Sequence, residues 1–286
     1  MPPTQIIVRP AEVKDAQEIE HFFRHVRRRY ITFGMEDLPQ LIREDLVFVA
    51  KTGGLIWGVL AVSPKDAGEW GHIRGVGIID GWQARAGVGL LLYGARSHLR
   101  NRGVRALYII LTEEWLHGPL HAHGFVQASR LGTYLRHAHS IPPVPRDPAA
   151  LRLVRPDDIP QVAQVDRAAF APLWSYSARE LTYLLALGCR MVVAEMDGRI
   201  VGYACGEVTG DIGHIARLAV HPDRQGQGIG RQLLLDTMTY LHSVGVTRFS
   251  LNTEIDNPQA TRLYESLNFR RFGRLIPVLV KDIGEK

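Results

Sequence analysis

The feature that most restricts the fold is a repeat: landmarks of the first half recur, in order, in the second. IIVRPAEVKDAQEIEHFF (6–23) answers LRLVRPDDIPQVAQVDRAAF (151–170), and VFVAKTGGLIWGVLAV (47–62) answers MVVAEMDGRIVGYACGEV (191–208). Arg9 falls opposite Arg155 and Gly58 opposite Gly202, at offsets of 146 and 144. Such a duplication predicts two like domains rather than one large one. Between the copies HSIPPVPRDPAA places Pro142, Pro143, Pro145 and Pro148, a density that suits neither helix nor ladder. The expected organisation is therefore a first domain over 1–138, a linker over 139–150 and a second domain over 151–286.

In the second copy the patterning predicts a strand near 151–155, a helix near 157–170, and strands near 190–196, 199–207 and 213–220. A helix over about 229–243 carries Ile229, Leu233, Leu234, Met238 and Leu241 on one stripe and stops at Gly245, a left-handed cap. Strand 247–253 turns Phe249 and Leu251 inward. Asn257 and Pro258 then read as N-cap and first residue of a helix reaching Leu267. The class is α/β.

Composition enters by exclusion. With 46% hydrophobic and 22% charged residues the chain has the balance of a globular protein, which argues against disorder. No stretch approaches the roughly 18 to 20 apolar residues of a membrane span, and MPPTQIIVRPAEVKD lacks a basic segment leading into an apolar run. The expectation is a cytoplasmic protein without membrane partners. Cys189 and Cys205 lack metal-ligand spacing and are expected to be buried thiols. A net charge of +5 favours anionic partners, a phosphate-rich cofactor as well as nucleic acid. The basic run HFFRHVRRRY (21–30) reads as a solvated helix face with Phe22, Phe23 and Val26 turned inward, so nucleic acid is not the expected partner.

The segment HPDRQGQGIGRQLL (221–234) hands a strand to a helix through Gly226, Gly228 and Gly230. Glycines there expose backbone N–H groups at the positive end of a helix, where an anion can approach closely. A P-loop would need Lys and Ser or Thr after the last glycine, but Arg231 and Gln232 follow. The dinucleotide fingerprint is spaced GxGxxG and opens its domain, unlike this GxGxG.

IARLAVHPDRQGQGIGRQLL resembles the acyl-CoA motif of the GNAT N-acetyltransferase superfamily, Q/R-x-x-G-x-G/A, with Gln225, Gly228 and Gly230 in place. NPQATRLYESLNF (257–269) resembles that family's following Asn-x-x-Ala…Leu-Tyr…Gly-Phe segment, with Asn268 for the usual glycine. The resemblance implies two tandem domains, each a mixed, mostly antiparallel twisted sheet flanked by helices. It implies acetyl-CoA as acyl donor, with the backbone of Leu218, Ala219 and Val220 pairing with pantetheine. Gln225, Gly226, Gln227, Gly228, Ile229, Gly230 and Arg231 would hold the pyrophosphate, and Asn257 would reach the pantetheine arm. Arg262 is a further phosphate partner or a solvated surface residue.

Acetyl transfer to an amine needs a neutral nucleophile, a stabilised oxyanion and a proton for the departing thiolate. The resemblance places Tyr264 as proton donor, and a phenol of pKa about 10 is protonated at neutral pH. Many family members carry a glutamate where this chain has His214, which makes His214 a candidate base; Glu254 is its rival and Glu207 trails both. A carboxylate expected in ribosomal-protein acetyltransferases is Asn252 here, a departure from that branch. FAPLWSYS (170–177) lies where an acceptor loop comes, so Trp174 and Tyr176 either line the acceptor or join the core. A weak base suits an α-amine, of which about a quarter is neutral at pH 7.4, better than a lysine, about one in a thousand.

In the first copy Gly87 and Gly89 answer Gly228 and Gly230, but Ala84 stands for Gln225, Glu113 for Asn257 and Leu120 for Tyr264. Leucine donates no proton, so the first domain is expected to have lost the chemistry, leaving open whether it still binds CoA. His117, His121 and His123 lack a third ligand once Pro119 interrupts their helix, and no metal is expected. A faded first copy and a working second also resemble the layout of the mycothiol synthases. The readings are thus an N-acetyltransferase acting on a small or peptide primary amine, including a protein α-amine, or a non-catalytic acyl-CoA-sensing module. Oligomeric state is not legible.

Overall fold

The computed structural model describes residues 7–44, 46–65 and 69–284; the opening Met1–Ile6, part of the stretch read for a leader, lies outside them. The elements are β1 (Ile7–Pro10), α1 (Ala16–His25), β2 (Arg28–Ile31), α2 (Leu38–Glu44), β3 (Leu46–Thr52), β4 (Leu55–Pro64), β5 (Trp70–Ile78), α3 (Ala84–Asn101), β6 (Ala106–Ile110) and α4 (Glu114–Ala122). Then come β7 (Val126–His137), β8 (Ala150–Leu153), α5 (Ile159–Ala169), α6 (Ala178–Ala186), β9 (Arg190–Met196), β10 (Arg199–Thr209), β11 (Ile212–Val220), α7 (Ile229–Ser243), β12 (Arg248–Glu254), α8 (Pro258–Ser266) and β13 (Arg270–Asp282).

Two compact units result, residues Met1–Ser129 with Ile276–Lys286, and Arg130–Leu275. This division does not follow the expected boundary at 138–151. The reason is strand pairing. β7, read as the end of the first copy, pairs antiparallel with β12 of the second unit from Arg248↔His137 to Glu254↔Leu131. The end of β13 pairs antiparallel with β6 of the first unit, from Val278↔Ile110 to Asp282↔Ala106. Each half of the chain thus lends its last strand to the unit built by the other half.

Within the first unit β1, β3, β4 and β5 run antiparallel in that order, and β6 adds parallel to the start of β5. Within the second, β8, β9, β10 and β11 repeat that order and β12 adds parallel to the start of β11. Both strand faces are covered, so central strands are apolar throughout rather than alternating. Phe48 and Ala50 face α3 with Val88, Leu91 and Leu99, while Val47 and Val49 face Ile19, Phe22 and Phe23 of α1. In the second unit Val192 and Ala194 lie toward Leu233 of α7, and Met191 and Val193 toward Val162 and Leu181 of α5 and α6. Each fully buried Val, Leu, Ile, Met or Phe among these contributes about 1.5–3 kcal/mol.

Three sequence readings are corrected. The Arg-Pro pairs are not equivalent: Arg9 forks onto Asp15 (2.7 and 2.8 Å) as Arg152, not Arg155, forks onto Asp158 (2.6 and 3.0 Å). Each carboxylate also accepts a backbone N–H three residues back, and the guanidinium beside it holds both below the usual carboxylate range. Secondly, the basic run 21–30 is not one helix face. α1 ends at His25, Val26 turns extended, and Arg28–Ile31, ending in an aromatic and a β-branched residue, forms β2. Thirdly, the proline-rich stretch is no free linker. Ile141 and Val144 pack on the second unit's core, and the buried Gln232 amide donates to the carbonyls of Pro145 (3.0 Å), Arg146 (3.3 Å) and Ala149 (2.8 Å). Both cysteines are buried free thiols. Among the described residues no helix is long and apolar enough to cross a membrane.

Candidate functional site

The site begins with a splay. β11 and β12 are parallel neighbours from Ile212↔Arg248 to Ile215↔Leu251. There β11 carries an extra residue: Gly206 faces Ile215 and Cys205 faces Arg217, so Ala216 bulges. A bulge bends its strand and ends pairing on the affected side. From Arg217 to Val220, β11 keeps β10 on one edge, and no strand pairs with its other edge among the described residues. An extended ligand can add there by main-chain hydrogen bonds.

The buried Asp166 holds the splay. It accepts from Tyr203 Oη (2.5 Å), Arg217 Nε (2.8 Å), Arg217 Nη2 (2.9 Å) and the Tyr176 backbone N (2.5 Å). Arg217 also donates to the Trp174 carbonyl and lies over the rings of Phe170 and Tyr176. Trp174 and Tyr176 therefore tie the loop between α5 and α6 to the strand. Burial pushes the Tyr176 and Tyr203 phenols up, keeping both neutral. Asp166 escaped the sequence reading because one acid in AQVDRAAF looks like any solvent-facing helix residue.

At the end of β11 the chain turns into α7 through Gly226 (φ +77°) and Gly228 (φ +88°), left-handed positions that favour glycine. Gly228 is the N-cap and brings no capping side chain. Gln225 Nε2 donates to the Val220 carbonyl (3.0 Å), tying turn to strand. Gly230 differs from the other two: its φ is not left-handed, and an added Cβ would meet only Leu263 at 3.5 Å and Val220 at 3.7 Å, ordinary contacts. The fold does not require glycine there. A bare first turn leaves the backbone N–H groups of α7 open to close approach, and such amides suit a diphosphate.

Across the cleft, Asn257 caps α8, its Oδ1 accepting from the Ala260 N–H (3.0 Å), which leaves its amide NH2 to donate elsewhere. Asn268 takes φ +62° after α8, as its place in the motif anticipates. Tyr264 is 7% exposed, with ring centroids of Tyr134 and Phe269 each 6.1 Å away. Burial, and then Tyr134, push its phenol up to about 12. Its hydroxyl has no hydrogen-bond partner among the described residues.

Leu218, Ala219, Val220, Gln225, Gly226, Gly228, Ile229, Gly230, Arg231, Asn257 and Tyr264 line one cleft of about 260 Å³. Arg224, Ala260 and Leu263, from the two motif segments, and Phe170, from the acceptor-loop segment, complete it together with Ala169 and Gln259, which carried no sequence signal of their own. Gln227, His214 and Glu254 are not among its lining residues. His214 lies lower on β11, opposite Glu207, with Nδ1 2.9 Å from Ser250 Oγ. Burial lowers its pKa, with Glu207 opposing. Glu254 ends β12 opposite Leu131, half-buried. Among the described residues no three His, Cys, Asp or Glu side chains are grouped to hold a metal.

This fold and cleft have known counterparts. Residues 159–269 match the model of the Acetyltransferase (GNAT) family. A mycothiol acetyltransferase of Rhodococcus jostii is 36% identical over 148 residues, 45% of this chain and 48% of that protein, so the chain spans about half of its length. A ribosomal protein bS18-alanine N-acetyltransferase of Salmonella typhimurium is 33% identical over 114 residues, 39% of this chain and 74% of that protein. Among solved structures, a tandem GNAT protein from the clavulanic acid biosynthesis pathway superposes with a TM-score of 0.70 at 16% identity, covering 99% of this chain and 100% of that one. The chain belongs to the GNAT acetyltransferase family, and its fold is the tandem form.

Proposed function

We propose that the second unit transfers acetyl from acetyl-CoA to a primary amine by direct attack, with no covalent enzyme intermediate and no metal. The observation that carries this reading is Gly230, bare of a side chain that the fold would accept, at the foot of an unpaired strand edge and across from an unpartnered phenol. When bound, acetyl-CoA supplies an activated acetyl thioester. The open edge at Leu218–Val220 orients an extended arm, and the amides from Gln225 to Arg231 hold a diphosphate at the positive end of α7. Asn257 donates to the arm through its free amide hydrogens. Tyr264, protonated across the whole physiological range, delivers a proton to the leaving sulfur.

His214 is the proposed base, acting on the incoming amine through water, with Glu254 as the alternative. The N-terminal domain of the sequence reading is proposed to be non-catalytic, since Leu120 and Glu113 replace the donor and the arm-binding amide.

Two acceptor classes fit a weak base: a small-molecule amine, as the mycothiol relative's name suggests, or a protein α-amine, as the bS18-alanine relative's does. Thiol release from acetyl-CoA, measured across a panel of small amines and N-terminal peptides, distinguishes them. Turnover with no amine despite tight CoA binding would favour an acyl-CoA sensor instead. Tyr264→Phe is expected to lower kcat by about 10²–10⁴-fold, the usual worth of a positioned acid, with CoA affinity unchanged. An unchanged kcat would remove Tyr264 from this role.

A further inference from the structure

The two copies can be compared at the splay residue by residue. WGHIRGVGI (70–78) of β5 answers IGHIARLAV (212–220) of β11. The bulge recurs at the matching place: Ala61 faces Gly75 and Val62 faces Ile73, leaving Arg74 extra. β6 likewise pairs only with the start of β5, Trp70↔Ala106 to His72↔Tyr108. The difference is what lies against the strand beyond the bulge. In the second unit that edge is open; in the first, β2 fills it antiparallel, Ile31↔Gly75, Tyr30↔Val76, Arg29↔Gly77 and Arg28↔Ile78.

β2 is anchored at several points along its length. Tyr30, 2% exposed, donates from Oη to the Ile110 carbonyl on β6 (3.1 Å), spanning the splay. Thr32 N donates to the Arg74 carbonyl (2.9 Å), and Arg28 Nη1 to the Trp82 carbonyl (2.5 Å). Arg29 Nη1 reaches the carbonyls of Phe23 (3.2 Å) and Val26 (3.1 Å) at the end of α1.

The phosphate end is closed by separate means. α3 starts at Ala84, the counterpart of Gln225, so it is wound one turn further back than α7. Gly87, the counterpart of the left-handed Gly228, is inside the helix, and its N–H donates to the Gln83 carbonyl (2.9 Å). Over Gly89, the counterpart of Gly230, lies the His123 ring: an added Cβ would stand 2.4 Å from its Cε1. His123 Nε2 donates to the Arg85 carbonyl (2.7 Å).

We infer that the first unit is liganded by its own chain: β2 takes the strand position that pantetheine would take, and the first turn of α3 with His123 takes the place of the diphosphate. The chain therefore binds one CoA, not two. The inference rests on the reading of the second unit only for the identity of the ligand excluded.

Calorimetric titration of the full chain with CoA, beside the Gly230→Glu variant, tests it. A Cβ at 230 makes only ordinary contacts, so glutamate there sets a negative charge at the proposed diphosphate position without crowding the backbone. One equivalent for the natural chain and none for the variant are expected. Two equivalents, or one retained by Gly230→Glu, would overturn the inference. Zero equivalents for the natural chain would sink the transferase reading while agreeing with a closed first unit. Hydrogen exchange is the second readout. Amides of 28–31 and 74–78 should be equally protected with and without CoA, protection being gained within 218–231. Loss of protection at 28–31, or a gain at 84–90, on adding CoA would show β2 or α3 giving way and overturn it.

Discussion

His214 and Tyr264 set the pH dependence in opposite ways. Tyr264 works as an acid, and its phenol, pushed up to about 12, imposes no alkaline limb near neutrality. His214 works as a base and must be neutral; burial lowers its pKa below the ordinary 6.5, so the neutral form persists further into acid. Expressed per neutral amine, which removes the substrate's own titration, the expected kcat/KM profile is flat from neutral pH upward and falls only below about pH 6.5. His214→Gln should lower the plateau and remove that limb, whereas an unchanged profile would pass the role to Glu254. Stability has the same sign. The unfolded imidazole takes up a proton before the native one does, so as pH falls below 6.5 His214 lowers native stability until its native pKa is reached. One observation weighs against a unique role. His72 occupies the matching position in the first unit, where it stacks on Tyr108 with its Nε2 buried and unpartnered, and burial lowers its pKa to about 3. A histidine at this strand position is thus compatible with a purely structural task, which makes the His214 profile a sharp test.

Among the elements, the glycine turn was the most legible. Gly226, Gly228 and Asn268 announce left-handed backbone, Pro258 announces a first turn, and these signals act within a few residues of themselves. α6 was not read, although Ser177 and Glu180 form a capping box at its start. The proline-rich stretch was legible as non-helical but not as packed. Proline density says what the backbone avoids, not that a buried glutamine 83 to 87 residues further along the chain will meet its carbonyls. Gln232, 2% exposed, supplies that partner from α7. Gln232→Leu is expected to strip the Pro145 and Ala149 carbonyls of their donor and cost about 1–3 kcal/mol in chemical denaturation, the usual penalty of a buried polar group left unpaired. A variant as stable as the natural chain would mean that Ile141 and Val144 hold the strap by packing alone.

For the whole molecule, the duplication was legible and the strand exchange was not. A strand that pairs at home and one that pairs with the other copy have the same sequence, the same length and the same place in the order of elements. VQASRLGTYLRH alternates as an edge-to-core strand in either case. The exchange makes the two units interdependent, and cutting the chain after residue 138 tests this. The first piece lacks Val278 and Leu279, both fully buried in the first unit, and the second lacks β7 with its buried Tyr134. Each buried side chain contributes about 1.5–3 kcal/mol against a total stability of about 5–15 kcal/mol for a typical domain, and each piece also loses the ladder of a whole strand, so the margin of either is cut severely. Expressed singly, each is expected to show no cooperative thermal transition; expressed together, they should copurify and recover one. Two pieces that fold separately, as simple tandem domains would, show that the exchange contributes little to stability.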